Sequence, residues 1–217
     1  MTAKAWNCAW PIERMFTFTR PSQERIDALI QASRGLVPPT PRILFADGSQ
    51  SEREHAAGFD HDVSSSRLGS GDAVFAAAKA AFTRWVQFNL GWARVANPSA
   101  SIAAAAVVAV EVHSLGLWSV NLSRIVDVID RPHRFGFVYS TTGFHVEQGE
   151  ERFLLTMNSR TGEVRYGLEA YSRPRSFFAR FGYPVTRSFQ HRFARDSHAR
   201  MLNEMTQLSM SSSKLVP

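Results

Sequence analysis

The chain has 217 residues, a formal net charge of +6, 44 % hydrophobic and 20 % charged residues, a balance that excludes wholesale disorder. Its single cysteine, Cys8, excludes an intrachain disulfide and a cysteine-based zinc cage. The longest apolar run, Ile102 to Val110, is too short to cross a bilayer as a helix, and Glu13 interrupts the N-terminal stretch before any secretory core can form. A reducing and most simply cytoplasmic setting is expected, with no integral membrane association.

Residues 1–15 read as an irregular N-terminal arm whose Trp6 and Trp10 are expected to dock on the body. Residues 16–209 read as a single domain and 210–217 as a frayed tail. Ser22 is placed to cap a helix over 23–33, with Ile26, Leu29 and Ile30 on one face and Gly35 as the stop. From Leu36 to Ser70 the Pro, Gly, Ser, Asp and His content predicts mostly loop, with one short strand before Gly69. The spacing of Val74, Ala77, Ala78, Ala81, Trp85 and Phe88 predicts a helix over Asp72 to Leu90. After Asn97-Pro98 the period becomes two, which predicts strands over Ile102–Val112, Trp118–Ile129, Phe135–Thr142, Glu150–Asn158 and Glu163–Ser172. Beyond Pro184, the residues Val185, Phe189, Phe193, Ser197, Met201, Met205 and Leu208 predict one long helix over 185–208. Helices, sequential antiparallel strands and a long terminal helix make an α+β fold. A curved antiparallel sheet wrapped on the C-terminal helix would bury both apolar faces. That helix-grip arrangement usually keeps a cavity between sheet and helix.

Strand alternation shows which polar groups fall among the apolar ones. Arg124 interrupts the phase Trp118, Val120, Leu122, Val126, Val128, and Glu151 opens the phase Phe153, Leu155, Met157. Tyr139 and Thr141 follow Phe135 and Phe137, and Ser172 ends the phase Val164, Tyr166, Leu168, Ala170. A lone charge on a buried face is costly, so Arg124 and Glu151 are expected within hydrogen-bonding reach. They form either a structural ion pair or the polar floor of a ligand cavity shared with Trp118, Tyr139, Thr141 and Ser172. His145 and Glu147, two apart, share a face of an extended segment and suit an acid–base pair; alternatively Glu147, Glu150 and Glu151 tie down arginine and backbone donors in a tight turn. The histidines include no metal-binding spacing, and no phosphate loop, dinucleotide fingerprint or nucleophile elbow is present, so neither metal nor cofactor is expected. Residues 173–200 carry seven arginines against Asp196 alone, so the basic character is local to the C-terminal segment.

The run Phe135-Gly-Phe-Val-Tyr139, Thr141, His145-Val-Glu147 and Gly149-Glu-Glu-Arg-Phe153 closely resembles an uncharacterised family, the domain of unknown function nineteen-ninety. Arg67-Leu-Gly-Ser-Gly71, Leu90-Gly-Trp92, Leu117-Trp118 with Asn121 and Arg124-Ile-Val126, Ser172-Arg-Pro174, Gln190 and Arg192-Phe193 extend the resemblance in order. Ser140, Thr142, Gly143 and Phe144 depart from the family pattern. More distantly, the element order is similar to the helix-grip superfamily of START and polyketide-cyclase-like proteins. That similarity implies binding of a small apolar or amphipathic molecule, without a cofactor. The alternative is a cofactor-free acid–base enzyme of cyclase, dehydratase or isomerase type, with His145 or Glu147 as base and Tyr139 or Arg124 holding an oxyanion. A third reading is an adaptor that meets an acidic surface through the C-terminal arginines. No specific nucleic-acid binding is expected, and the oligomeric state is left open.

Overall fold

Ser22 begins the first helix as its type and position predict, its hydroxyl accepting the Arg25 N–H at 3.3 Å. Helix α1 (Gln23–Arg34) buries Ile26 and Ile30. The computed structural model describes residues 16–35, 58–145, 147–174 and 183–213, so Trp6, Trp10 and residues 36–57 lie outside it. In chain order the other elements are β1 (Phe16–Thr17), β2 (Asp60–Ser70), α2 (Asp72–Thr83), β3 (Ala93–Val95), β4 (Val107–Ser114), β5 (Leu117–Arg131), β6 (Arg134–Thr141), β7 (Glu147–Met157), β8 (Glu163–Pro174) and α3 (Tyr183–Ser213). The strands form one curved antiparallel sheet in the order β2-β8-β7-β6-β5-β4-β3, gripping the C-terminal helix. β6 pairs with β5 only from Ser123 onward, and β1 takes the vacant side of β5 at Trp118 and Ser119. No helix among the described residues is long and apolar enough to cross a membrane.

The inner face of the sheet packs on α2 and α3. Phe82, Trp85, Phe137, Phe153, Tyr166 and Met201 are buried there, and Phe137 stacks on Phe153 with centroids 5.0 Å apart. Each such side chain contributes roughly 1.5–3 kcal/mol by leaving water. The outer face is also covered, because α1 lies over β4 and β5 and buries Val107, Ala109, Val120, Leu122 and Phe144. The phases read for β6, β7 and β8 all point inward, as alternation predicts.

β5 corrects the sequence reading. Its apolar phase, from Trp118 through Val120 and Leu122 to Arg124, points to α1, while Ser119 and Asn121 point inward. A bulge at Val126, between the pairs Ile125↔Tyr139 and Asp127↔Val138, then flips the phase so that Val128 joins the inner core. Arg124 therefore does not pair with Glu151. Its Nη2 donates to the carbonyls of Ser33 and Arg34 at 2.7 Å each, closing the C-terminus of α1. Trp118 stacks on His113 at 4.3 Å, with the Arg20 guanidinium 5.3 Å from its ring, and is not a cavity residue.

Five elements differ most in extent from expectation, and β7 is the first, starting at Glu147 rather than Glu150. β2 is a full edge strand, because its inward positions Ser64 and Ser66 are held by hydrogen bonds to His198 at 2.8 and 2.9 Å rather than by apolar packing. α2 stops at Thr83: Trp85 takes φ 61°, its indole N–H donates to Ala100 O at 3.0 Å, and a short turn at Val86–Phe88 follows. Ile102–Ala106 is not strand. The Asn97 amide bridges Val107 O and Ala109 N at 2.8 and 2.9 Å, and β4 starts only at Val107, with the short β3 as its neighbour. α3 continues to Ser213, through the first positions of the expected frayed tail.

Candidate functional site

Alternation along β6 and β7 aims Tyr139, Glu147 and Glu151 at α3, and the helix answers with Phe189, Gln190 and Phe193. Gly149 lies between the two glutamates on the same face. A side chain there would overlap the Tyr171 carbonyl oxygen, so glycine is what lets β8 pair closely at this point. Between sheet and helix lies a cavity of about 470 Å³. Phe88, Trp92, Val110, Val112, Phe189 and Phe193 form its apolar wall, while Ser119, Asn121, Tyr139, His145, Glu147, Glu151 and Gln190 supply its polar groups. Leu115, 81 % exposed, also lines it and marks its opening at the β4–β5 hairpin.

The polar groups form two short chains. The Tyr139 hydroxyl donates to Glu151 Oε2 at 2.6 Å. The Gln190 amide donates to Glu147 Oε1 at 2.7 Å and to Ser172 Oγ at 2.8 Å. Desolvation pushes the Glu151 carboxyl up to about 7; the nearby Glu147 charge adds to this and the tyrosine hydrogen bond only partly offsets it. Desolvation likewise pushes Glu147 up to about 7 against the bond from Gln190 and the charge of Arg187. The Tyr139 hydroxyl is driven well above its ordinary value, first by desolvation and then by Glu151. Near neutral pH both carboxyls can therefore either accept or give a proton.

Asn121 lines the same cavity at 8 % exposure. Its amide nitrogen donates to Ser119 Oγ at 3.2 Å, and its Oδ1 has no hydrogen-bond partner. The closest arginines on α3 are engaged elsewhere. Arg187 is paired with Asp62 and bonded to Gln190, and Arg192 lies over Trp92 at 4.5 Å and reaches Asp196.

The structure thus gathers Tyr139, His145, Glu147 and Glu151 at one cavity, with Thr141 and Ser172 in an adjoining recess of about 60 Å³. Thr141 Oγ1 accepts the Gly149 N–H at 3.0 Å. His145 is linked to Glu147 through the backbone: its Nδ1 accepts the Glu147 N–H at 3.1 Å. Residues that depart from the family pattern anchor this turn to β5, with Thr142 Oγ1 donating to Leu122 O at 2.8 Å and Phe144 buried under α1. Arg124 and Trp118 lie on the other face of the sheet. Sequence reasoning matched Asn121 and Gln190 to the family pattern without placing them at the cavity, and it missed Ser119, which shares the polar phase of β5 with Asn121. Among the described residues, no group of three or more His, Cys, Asp or Glu side chains is placed to hold a metal ion.

Residues 46–200 match the family described as domain of unknown function (DUF1990). The chain is 30 % identical over 204 residues to a UPF0548 protein of Dictyostelium discoideum, which covers 87 % of this chain and 94 % of that one. It is 33 % identical over 202 residues to a UPF0548 protein of Deinococcus radiodurans, covering 87 % and 97 %. Among solved structures, an uncharacterised protein from Rhizobium leguminosarum is similar with a TM-score of 0.48 at 11 % identity, over 69 % of this chain and 95 % of that one.

Proposed function

The chain belongs to the DUF1990 family, and from that premise we propose that it binds a small apolar or amphipathic molecule in the cavity between sheet and C-terminal helix. The observation that carries this reading is the cavity itself. A volume of about 470 Å³ suits a small ligand, and a mostly aromatic and aliphatic wall with a few convergent polar groups is what such a ligand needs for burial and orientation. A cytoplasmic setting belongs to the same proposal and rests on the single cysteine.

The test is a titration of the full chain with the neutral fluorophore N-phenyl-1-naphthylamine. Saturable enhancement with one site per chain is expected. Val112→Trp, which fills the cavity from β4, abolishes it while leaving the thermal midpoint within a few degrees of the parent. Undiminished binding by a folded Val112→Trp variant would overturn the reading.

A second reading is supported by the two carboxyls near 7. A general acid or base works best when its pKa is near the working pH, and Glu147 or Glu151 beside Tyr139 could move a proton on a bound substrate with no cofactor. This reading keeps Tyr139 and Glu147, drops Arg124 because it faces α1, and adds Glu151. The adaptor reading has less support. Arg187, Arg192, Arg195 and Arg200 reach Asp62, Asp196 and Glu204 within the chain, which offsets part of the positive charge on that helix face.

A further inference from the structure

We infer that the cavity selects an amphipathic cation, an apolar body ending in a protonated primary amine, and rejects carboxylates such as fatty acids. The inference rests on the binding reading above and adds the headgroup. Two acids, Glu147 and Glu151, line the cavity, and their closest hydrogen bonds come from neutral donors, the Gln190 amide and the Tyr139 hydroxyl. Among the described lining residues there is no lysine or arginine. Desolvated carboxylates are ordinarily matched by a cation.

An ammonium carries three N–H donors and the missing positive charge, so it can answer a carboxylate of β7 on both counts. A carboxylate brings more acceptors and a like charge, and a hydroxyl brings a single donor.

Other titratable groups do not reverse this balance. His145 faces the cavity from the turn before β7. From α3 come Arg187 and His191, both held by Asp62 of β2, and Asp60 adds negative charge near Glu147. Arg173 of β8 bonds to Gln148, and Tyr166 stays neutral beside Ser197.

Calorimetric titration of the full chain with 2-naphthylmethylamine, 2-naphthylmethanol and 2-naphthoic acid tests the inference. At about pH 8 the amine should bind at least about tenfold tighter than the alcohol, equivalent to ~1.4 kcal/mol, and the acid should bind weakest. At about pH 5.5 the advantage of the amine should shrink as the carboxyls take up protons. Glu151→Gln should bring the amine-to-alcohol ratio at about pH 8 close to one. An acid that binds as tightly as the amine, or a ratio untouched by Glu151→Gln, would overturn the inference while alcohol binding left the cavity reading standing. Absence of binding by all three would remove the cavity reading and this inference with it.

Discussion

Glu111, on the α1 side of β4, and Glu151, on the α3 side of β7, both sit in the middle of one sheet and both lose water on folding. Glu111 is 1 % exposed, yet it accepts two bonds from Arg20 at 3.0 Å and one from Arg94 at 2.6 Å. Burial works to raise its carboxyl, but the two guanidiniums together outweigh it and hold Glu111 below the usual carboxylate range. Glu151 has only the Tyr139 hydroxyl, burial prevails, and its carboxyl rises to about 7. The two sites differ in cations: Glu111 meets two guanidiniums, and Glu151 accepts its hydrogen bond from a neutral hydroxyl. This fold neutralises an acid on its outer face and leaves two acids unneutralised where the sheet meets a cavity, and that contrast is why the inner pair reads as functional.

The largest expected effect separates the two sites by pH. Glu147 and Glu151 have folded values of about 7 against an ordinary 4.5. The stability they contribute is therefore complete below 4.5 and is lost as pH climbs through 7. Each shift corresponds to at most about 3 kcal/mol, which partial exposure to the cavity trims to about 2. Urea unfolding at about pH 5 and pH 8 should show Glu151→Gln losing roughly 2 kcal/mol less than the parent over that interval. Parallel pH curves would erase the contrast.

Next in size is Arg94→Met, which leaves Glu111 with Arg20 alone. Arg94 is 51 % exposed in its side chain, so screening limits the loss to about 1–2 kcal/mol near neutral pH. Because the Glu111 carboxyl is depressed, that contribution is present above 4.5 and disappears as pH falls through its folded value, the reverse of the Glu151 window. Denaturation at about pH 7 and pH 3.5 checks the sign.

Arg124→Met should cost only about 1 kcal/mol, the worth of closing the last carbonyls of α1. Combined with Glu151→Gln it should be additive within about 0.5 kcal/mol, since the two residues face opposite layers. Coupling of several kcal/mol would restore the ion pair that alternation alone suggests. The smallest expected signal is association with RNA or anionic vesicles. It should be weak and vanish with moderate salt, because the α3 arginines are paired within the chain.

How legible each part was depends on how many layers cover it. In β6, β7 and β8 the apolar phase meets the helices, so Tyr139, Thr141, Glu151 and Ser172 were placed on the correct face from alternation, while Glu147 was read only as a partner of His145 in the preceding turn. β5 is covered on both sides. Its more apolar phase serves α1, and its cavity side is the polar pair Ser119 and Asn121, so the rule that the apolar face looks inward failed there and took Arg124 and Trp118 with it. β2 hid for a related reason: serines bonded to His198 stand where apolar residues would announce a strand. The long helix was legible because Phe193, Met201 and Met205 repeat at helical spacing against the core. Gln190 stood out only as a match to the family pattern, and its place in the cavity was not legible, since one polar residue beside such a stripe has no phase of its own.

Carbon-detected NMR titration of the glutamate side-chain carboxyls tests the central contrast most directly, in the full chain and without ligand. The account predicts midpoints near 7 for Glu147 and Glu151, released as a coupled pair, with Glu111 titrating below the ordinary carboxylate range in the same spectra. If Glu147 and Glu151 instead titrate with Glu111, in the range of a paired or solvated carboxylate, the inner acids are neutralised like the outer one and the cavity loses its distinguishing chemistry.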